Sequence, residues 1–163
     1  MRVATWALFA AAEAQKFHVV FAVASRGPRT TEHRSESSRR AASRFGDATR
    51  VALMAMGFCY PGKGASGDLP PRPECAKLWH PQIMASFESK PLILLIGQYA
   101  QKHYLNNKLS LTETVKNFKE YLPDYFVLPH PSPRNQNWVK VNTWFSNEVI
   151  PHLRSQVLEK LSI

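Results

Sequence analysis

An α/β domain with a parallel sheet covered by helices on both faces is predicted by three observations. Short apolar runs alternate with helix-period stretches from Asp47 onward. The later runs stop at strand-ending residues, Leu92–Ile96 at Gly97 and Tyr125–Leu128 at Pro129, which has no N–H to continue a ladder. The order strand, helix, strand, helix, strand, helix joins parallel strands by crossovers. In such sheets ligands bind beyond the carboxyl ends of the strands. Gly57-Phe58, Gly97-Gln98 and His130 all follow such ends.

Taken in order, Trp6–Ala14 is Ala-rich and reads as helix, and Phe17–Ala24 is β-branched and aromatic and reads as strand. Glu13, Gln15, Lys16 and His18 interrupt the apolar residues that a signal peptide needs. Ser25–Arg44 is dominated by Arg, Ser, Thr and Ala and reads as disordered, since it offers little to bury. A nucleic-acid-binding tail, an import segment and an out-of-frame start all remain open for it. Arg50–Phe58 reads as a buried strand, Pro61–Pro73 as a loop, and Glu74–Phe87 as a helix interrupted or kinked at Pro81. Gln98–Leu105 and Leu111–Leu122 read as helices, the second capped by Ser110 or Thr112. Trp144–Leu161 is an amphipathic helix with Val149, Ile150, Leu153, Val157 and Leu161 on one side and Pro151 inside it.

The chain has 163 residues, enough for one domain with a sizeable core. Its formal charge of +9 and pI near 9.8 favour a polyanionic partner. Residues 1–50 hold nine basic and four acidic side chains, so the remainder is only moderately basic. The two cysteines, Cys59 and Cys75, are too few for a disulfide framework, and a reducing, cytoplasmic location is expected. A spanning helix needs an apolar run of about 18 residues or more, and none is present, so no membrane partner is expected.

The chemistry concentrates in Tyr125–Asn135. Three prolines in five residues stiffen a loop that carries His130, Ser132, Arg134 and Asn135. A plain Pro-rich exit from a strand has a similar composition. However, His130-Pro131-Ser132-Pro133-Arg134-Asn135 resembles the second signature motif of the uracil-DNA glycosylase superfamily, especially its single-strand-selective branch. Two further blocks are similar to a little-characterised bacterial group of that superfamily, in the same order and spacing. One runs from Gly57-Phe58-Cys59-Tyr60-Pro61-Gly62 through Ser66–Cys75 to Trp79-His80. The other is Leu92–Tyr104 with Gly97-Gln98-Tyr99-Ala100-Gln101. The resemblance covers residues 47–163 and leaves 1–46 as an unmatched Arg/Ser-rich segment.

This resemblance implies a three-layer α/β/α sandwich around a four-stranded parallel sheet, here with its first strand missing from the matched part. It implies a monofunctional DNA glycosylase of base-excision repair, with DNA as partner and a monomeric state. Breaking the N-glycosidic bond leaves a cation-like sugar and an anionic base. The site must therefore offer a fixed donor, place a water and hold the base outside the stack. By resemblance His130 is that donor, Arg134 wedges into the duplex, Ser132 and Asn135 contact DNA, and Gly57 and Phe58 line the base. No lysine stands at a motif position to form a Schiff base.

Two departures mark the chain. The family's first strand ends in a motif of the form Gly-Gln-x-Pro-Gly or Gly-Met-Asn-Pro-Gly that positions water. Here Ser25-Arg26-Gly27-Pro28 has no acid or amide in that place. Several branches read the pyrimidine edge with an Asn near the end of the next strand, whereas Met54-Ala55-Met56-Gly57-Phe58 has no amide. Cys59 and Cys75 resemble the second cysteine pair of the iron–sulfur branch, but two thiolates do not complete a four-cysteine site, so no metal or cofactor is expected. A non-catalytic or truncated relative that keeps the DNA-facing loop is the alternative to an active glycosylase.

Overall fold

The computed structural model describes residues 19–23, 51–65, 67–87, 89–132 and 135–161. In chain order, strand β1 is Val19–Val23, β2 is Val51–Ala55, and Lys63–Gly64 (β3) and Gly67–Asp68 (β4) form a small antiparallel hairpin. Helix α1 spans Pro73–Ala85, β5 Leu92–Ile96, α2 Gln98–Leu105 and α3 Leu111–Lys116. A 3-10 turn at Phe118–Tyr121 leads to β6, Tyr125–Leu128. Helix α4, Gln136–Val141, then a π turn at Phe145–Val149 and α5, Ile150–Leu161, complete the chain.

The main sheet is four-stranded and fully parallel in the order β2-β1-β5-β6. The expectation of a missing first strand is corrected here. β1 lies inside the sheet, bonded to β2 on one side and β5 on the other. Its sequence Val-Val-Phe-Ala-Val carries no charge and suits a doubly flanked strand. Ladder pairing is a backbone interaction, so it does not depend on the unfamiliar residues that follow β1. Val23 pairs with both Ala55 and Ile96, and Ile96 pairs with Leu128. The four carboxyl ends therefore stand level in one row.

Strand alternation sorts the layers. Tyr125 and Leu128 point to opposite faces of β6. Tyr125 meets Tyr104 of α2, with ring centroids 5.7 Å apart, while Leu128 and Ile96 face Ile150 and Leu153 of α5. Helices thus cover both faces, the three-layer arrangement that the resemblance implies. β5 is buried along its whole length, as expected for an interior parallel strand. Leu92–Ile96, Phe126–Leu128, Val115, Phe118 and Val149 form one core with Ala76 and Ala100.

The helices follow local chemistry, with three departures from expectation. α1 runs unbroken through Pro81, anchored by the buried Ala76 and His80. The expected Leu111–Leu122 helix stops at Lys116 and tightens into the 3-10 turn. Ser110 is its cap: the Ser110 hydroxyl accepts from Glu113 N–H, and the Glu113 carboxylate accepts from Ser110 N–H at 2.9 Å. Thr112 instead accepts from Trp138 Nε1 at 2.8 Å, tying α4 to α3. Finally, the expected Trp144–Leu161 helix widens into a π turn just before Pro151. The wider turn gives the pyrrolidine ring room and asks for no N–H from it. Val149 is buried, and Ile150, Leu153 and Val157 pack on the core as the pattern predicts.

Candidate active site at the carboxyl edge of the sheet

His130 is carried two residues beyond β6 on the Pro-rich loop. Four contacts fix that loop. Its own carbonyl accepts from Ser132 N–H at 2.8 Å and from the Asn135 side-chain amide at 2.6 Å. Asn135 N–H donates to Ser132 C=O at 2.8 Å, closing a second turn. The fourth contact is steric. A side-chain carbon on Gly97 would lie 3.3 Å from His130 Cβ. Gly97 also has φ +86 and ψ 167, a conformation close to glycine-only. It lets the β5–α2 junction press against His130 while its N–H donates to Leu128 C=O at 2.8 Å.

Gln101 lies in the Gly97–Gln101 block, to which the resemblance assigns no role at this position. It is buried on α2, and its amide donates to Leu128 C=O at 2.9 Å and to Leu95 C=O at 3.4 Å. It thereby clamps the carboxyl ends of β5 and β6 together, two residues before His130. The signal for it was a polar residue on the buried face of an amphipathic helix.

An apolar cavity of about 540 Å³ opens under the loop. Ile96, Leu128, Pro129, Val139, Phe145 and Leu153 supply most of its wall, and His130, Ser132, Asn135 and Lys140 stand at it. Gly57 and Phe58 are not among its lining residues. They follow β2, separated from β6 by β1 and β5, hence roughly 14 Å along the row of strand ends. Arg134 and Ser25-Arg26-Gly27-Pro28 lie outside the described residues, as do the Trp6–Ala14 helix and the Ser25–Arg44 stretch.

The β2 end is held by a different device. Gly57 is buried against Pro71, where an added Cβ would sit 3.1 Å from Pro71 Cβ. Phe58 presents its ring edge-on to His80, with centroids 5.8 Å apart. His80 is only 1% exposed. Its Nε2 lies 2.9 Å from Ala55 C=O and its Nδ1 2.7 Å from the Tyr104 hydroxyl. A carbonyl only accepts, so the proton sits on Nε2 and Nδ1 accepts from Tyr104. Burial pushes His80 below its ordinary pKa, assisted by His103 and opposed by the Ala55 bond. Burial likewise pushes the Tyr104 hydroxyl up, with Tyr125 adding to it. His80 is therefore a neutral strut under the β2 end, a role that sequence spacing alone did not single out.

Cys59 Sγ and Cys75 Sγ are 3.6 Å apart. The hydrogen bond between them, then burial, raises the Cys59 thiol, while Arg72 pulls it down. The chain has no third cysteine, and among the described residues no three His, Cys, Asp or Glu side chains cluster to hold a metal. A four-cysteine iron–sulfur cluster does not fit this donor set. Among the described residues no helix is long and apolar enough to cross a membrane.

A doubly wound α/β domain that delivers a rigid polar loop to its level carboxyl edge is the class that fold and site define. The family model of the uracil DNA glycosylase superfamily matches residues 7–154. The chain belongs to that superfamily and is a DNA-glycosylase-like protein, of a family that acts on DNA. The match extends well before Asp47 and takes in β1, so it covers most of the N-terminal stretch that the three motif blocks left aside.

Proposed function

We propose that this protein hydrolyses the N-glycosidic bond of a damaged or deaminated base flipped out of DNA, as a monofunctional glycosylase with water as nucleophile. The observation that carries the reading is the support of His130 within a chain of this family. Gly97 packs against its Cβ, and its carbonyl is held by two donors. A donor that need not reorganise stabilises the negative charge that develops on the departing base. His130 serves as that donor, Ser132 and Arg134 contact phosphate, and Phe58 stacks on the base from the β2 end. The Asn135 amide, spent on the His130 carbonyl, acts on DNA through loop shape. No amide stands at the β2 end to read a pyrimidine edge, so the flipped base need not be uracil.

A second reading is favoured by one observation. Ser25-Arg26-Gly27-Pro28 follows β1 in the chain, where the family's water-positioning motif is expected, yet it has no acid or amide in that place. In that reading the protein binds DNA without turnover. The test is release of free base from oligonucleotides carrying uracil, hypoxanthine or xanthine, run beside binding to abasic-site DNA. Slow but enzyme-dependent release of at least one base supports the glycosylase. Binding to abasic DNA without any release supports the non-catalytic relative, and neither binding nor release sinks both.

A further inference from the structure

The loop that leaves β2 returns to within touching distance of its own start. It runs from Cys59 through the β3–β4 hairpin to the first turn of α1, where Cys75 stands. Several contacts pinch its neck. Gly57 lies against Pro71, Leu69 N–H donates to Gly62 C=O at 2.9 Å, and the Tyr60 hydroxyl donates to Asp68 at 3.1 Å. The result is a pair of thiols 3.6 Å apart, Cys59 exposed and Cys75 half-buried. Cysteines that serve only as packing are enclosed, whereas these are accessible to solutes. Their sulfurs stand about 1.5 Å farther apart than a disulfide bond requires. With only two sulfurs and no neighbouring third ligand among the described residues, the pair suits covalent chemistry better than a metal.

We propose that Cys59 and Cys75 form a dithiol modification site that reacts with small-molecule disulfides and closes to an intramolecular disulfide. The Cys59 thiolate, the more exposed, attacks one sulfur of the small disulfide and expels the first small thiolate. The Cys75 thiolate then attacks the Cys59 sulfur of the mixed disulfide and expels the second. Two protein thiols are oxidised, one small disulfide is reduced to two thiols, and the two protons leave with them. The new bond staples the residue after Phe58 to the α1 turn that leads to His80. Its effect on base handling rests on the stacking role given to Phe58, but the site itself does not.

The experiment treats the reduced chain with oxidised glutathione near pH 8, then alkylates and weighs the intact protein. The expected product is a monomer lighter by two hydrogens, with no alkylated cysteine, restored by dithiothreitol. Closure in the native chain should outpace closure in strong urea by at least about tenfold, because the fold holds the sulfurs together. The Cys59→Ser chain should instead stop at a glutathione adduct on Cys75. Glutathione on both cysteines of the unmutated chain would overturn the proposal. So would disulfide-linked dimers as the main product, or equal closure rates in native and urea-unfolded chains.

Discussion

The two ends of the sheet's carboxyl edge solve the same problem differently. At the β6 end, His130 is aimed by backbone means: prolines on either side, two donors on its carbonyl, and a glycine against its Cβ. At the β2 end, Phe58 leans on a buried side chain, His80, whose two ring nitrogens are both committed. A backbone-built support is insensitive to protonation. A support made of neutral imidazole is not. The difference teaches that the end proposed to react is held by contacts that do not titrate, while the end given the stacking role depends on the charge state of a residue packed directly against it.

The largest structural effect is expected at His80. His80→Ala removes both bonds and leaves Ala55 C=O and the Tyr104 hydroxyl to find new partners, so unfolding stability should fall by roughly 2–4 kcal/mol. Urea denaturation measures it, and a loss within about 0.5 kcal/mol of zero would remove His80 as the strut of the β2 end.

Gly97→Ala comes next. It places a side chain at φ +86 and pushes on His130 from 3.3 Å, for a cost of about 1–3 kcal/mol. Base release should drop along with stability, because the displaced residue is His130. A variant as stable and as active as the parent would show that the close approach is not needed.

The difference between the two ends is sharpened by pH. The folded pKa of His80 lies below the ordinary value of 6.5, so the folded state binds fewer protons than the unfolded chain. Its contribution is present above 6.5 and is lost as the pH falls through the lower folded value. His103, lowered by burial and by Lys77, adds in the same direction. The urea midpoint should therefore drop between about pH 7.5 and about pH 5.5. His80→Gln should flatten that drop, and an unchanged slope would assign it elsewhere.

Asn135→Ala tests the β6 end with the smallest effect, about 0.5–1.5 kcal/mol, because the His130 carbonyl keeps the Ser132 donor. DNA binding should weaken only as the loop loosens. A loss of binding with unchanged stability would restore Asn135 to a direct DNA contact.

Much of this architecture was legible because it is punctuated locally. Leu92–Ile96 and Tyr125–Leu128 are uninterrupted apolar runs closed by Gly97 and Pro129, and both strands have those bounds. Gln98–Leu105 likewise has the expected limits. What stayed hidden depends on distant partners. Phe17–Ala24 reads as a strand by itself, but only the pairing of Val19–Val23 with both β2 and β5 puts it inside the sheet. His80 and Gln101 look like ordinary helix polars until Ala55, Leu95 and Leu128 are seen to offer them carbonyls. Phe58 and His130 were placed on one edge correctly, but sequence carries no measure of the two strands that separate them.

The most direct test of the account is base release under single-turnover conditions, on the oligonucleotide the unmutated chain processes fastest, with His130→Ala beside it. Loss of one preorganised donor costs on the order of a hundred- to a thousandfold in rate, about 3–4 kcal/mol. A fall to nearly background is expected, with DNA binding largely intact. Release that continues at the parental rate in His130→Ala would contradict it, and would move the reacting centre away from the β6 end of the sheet.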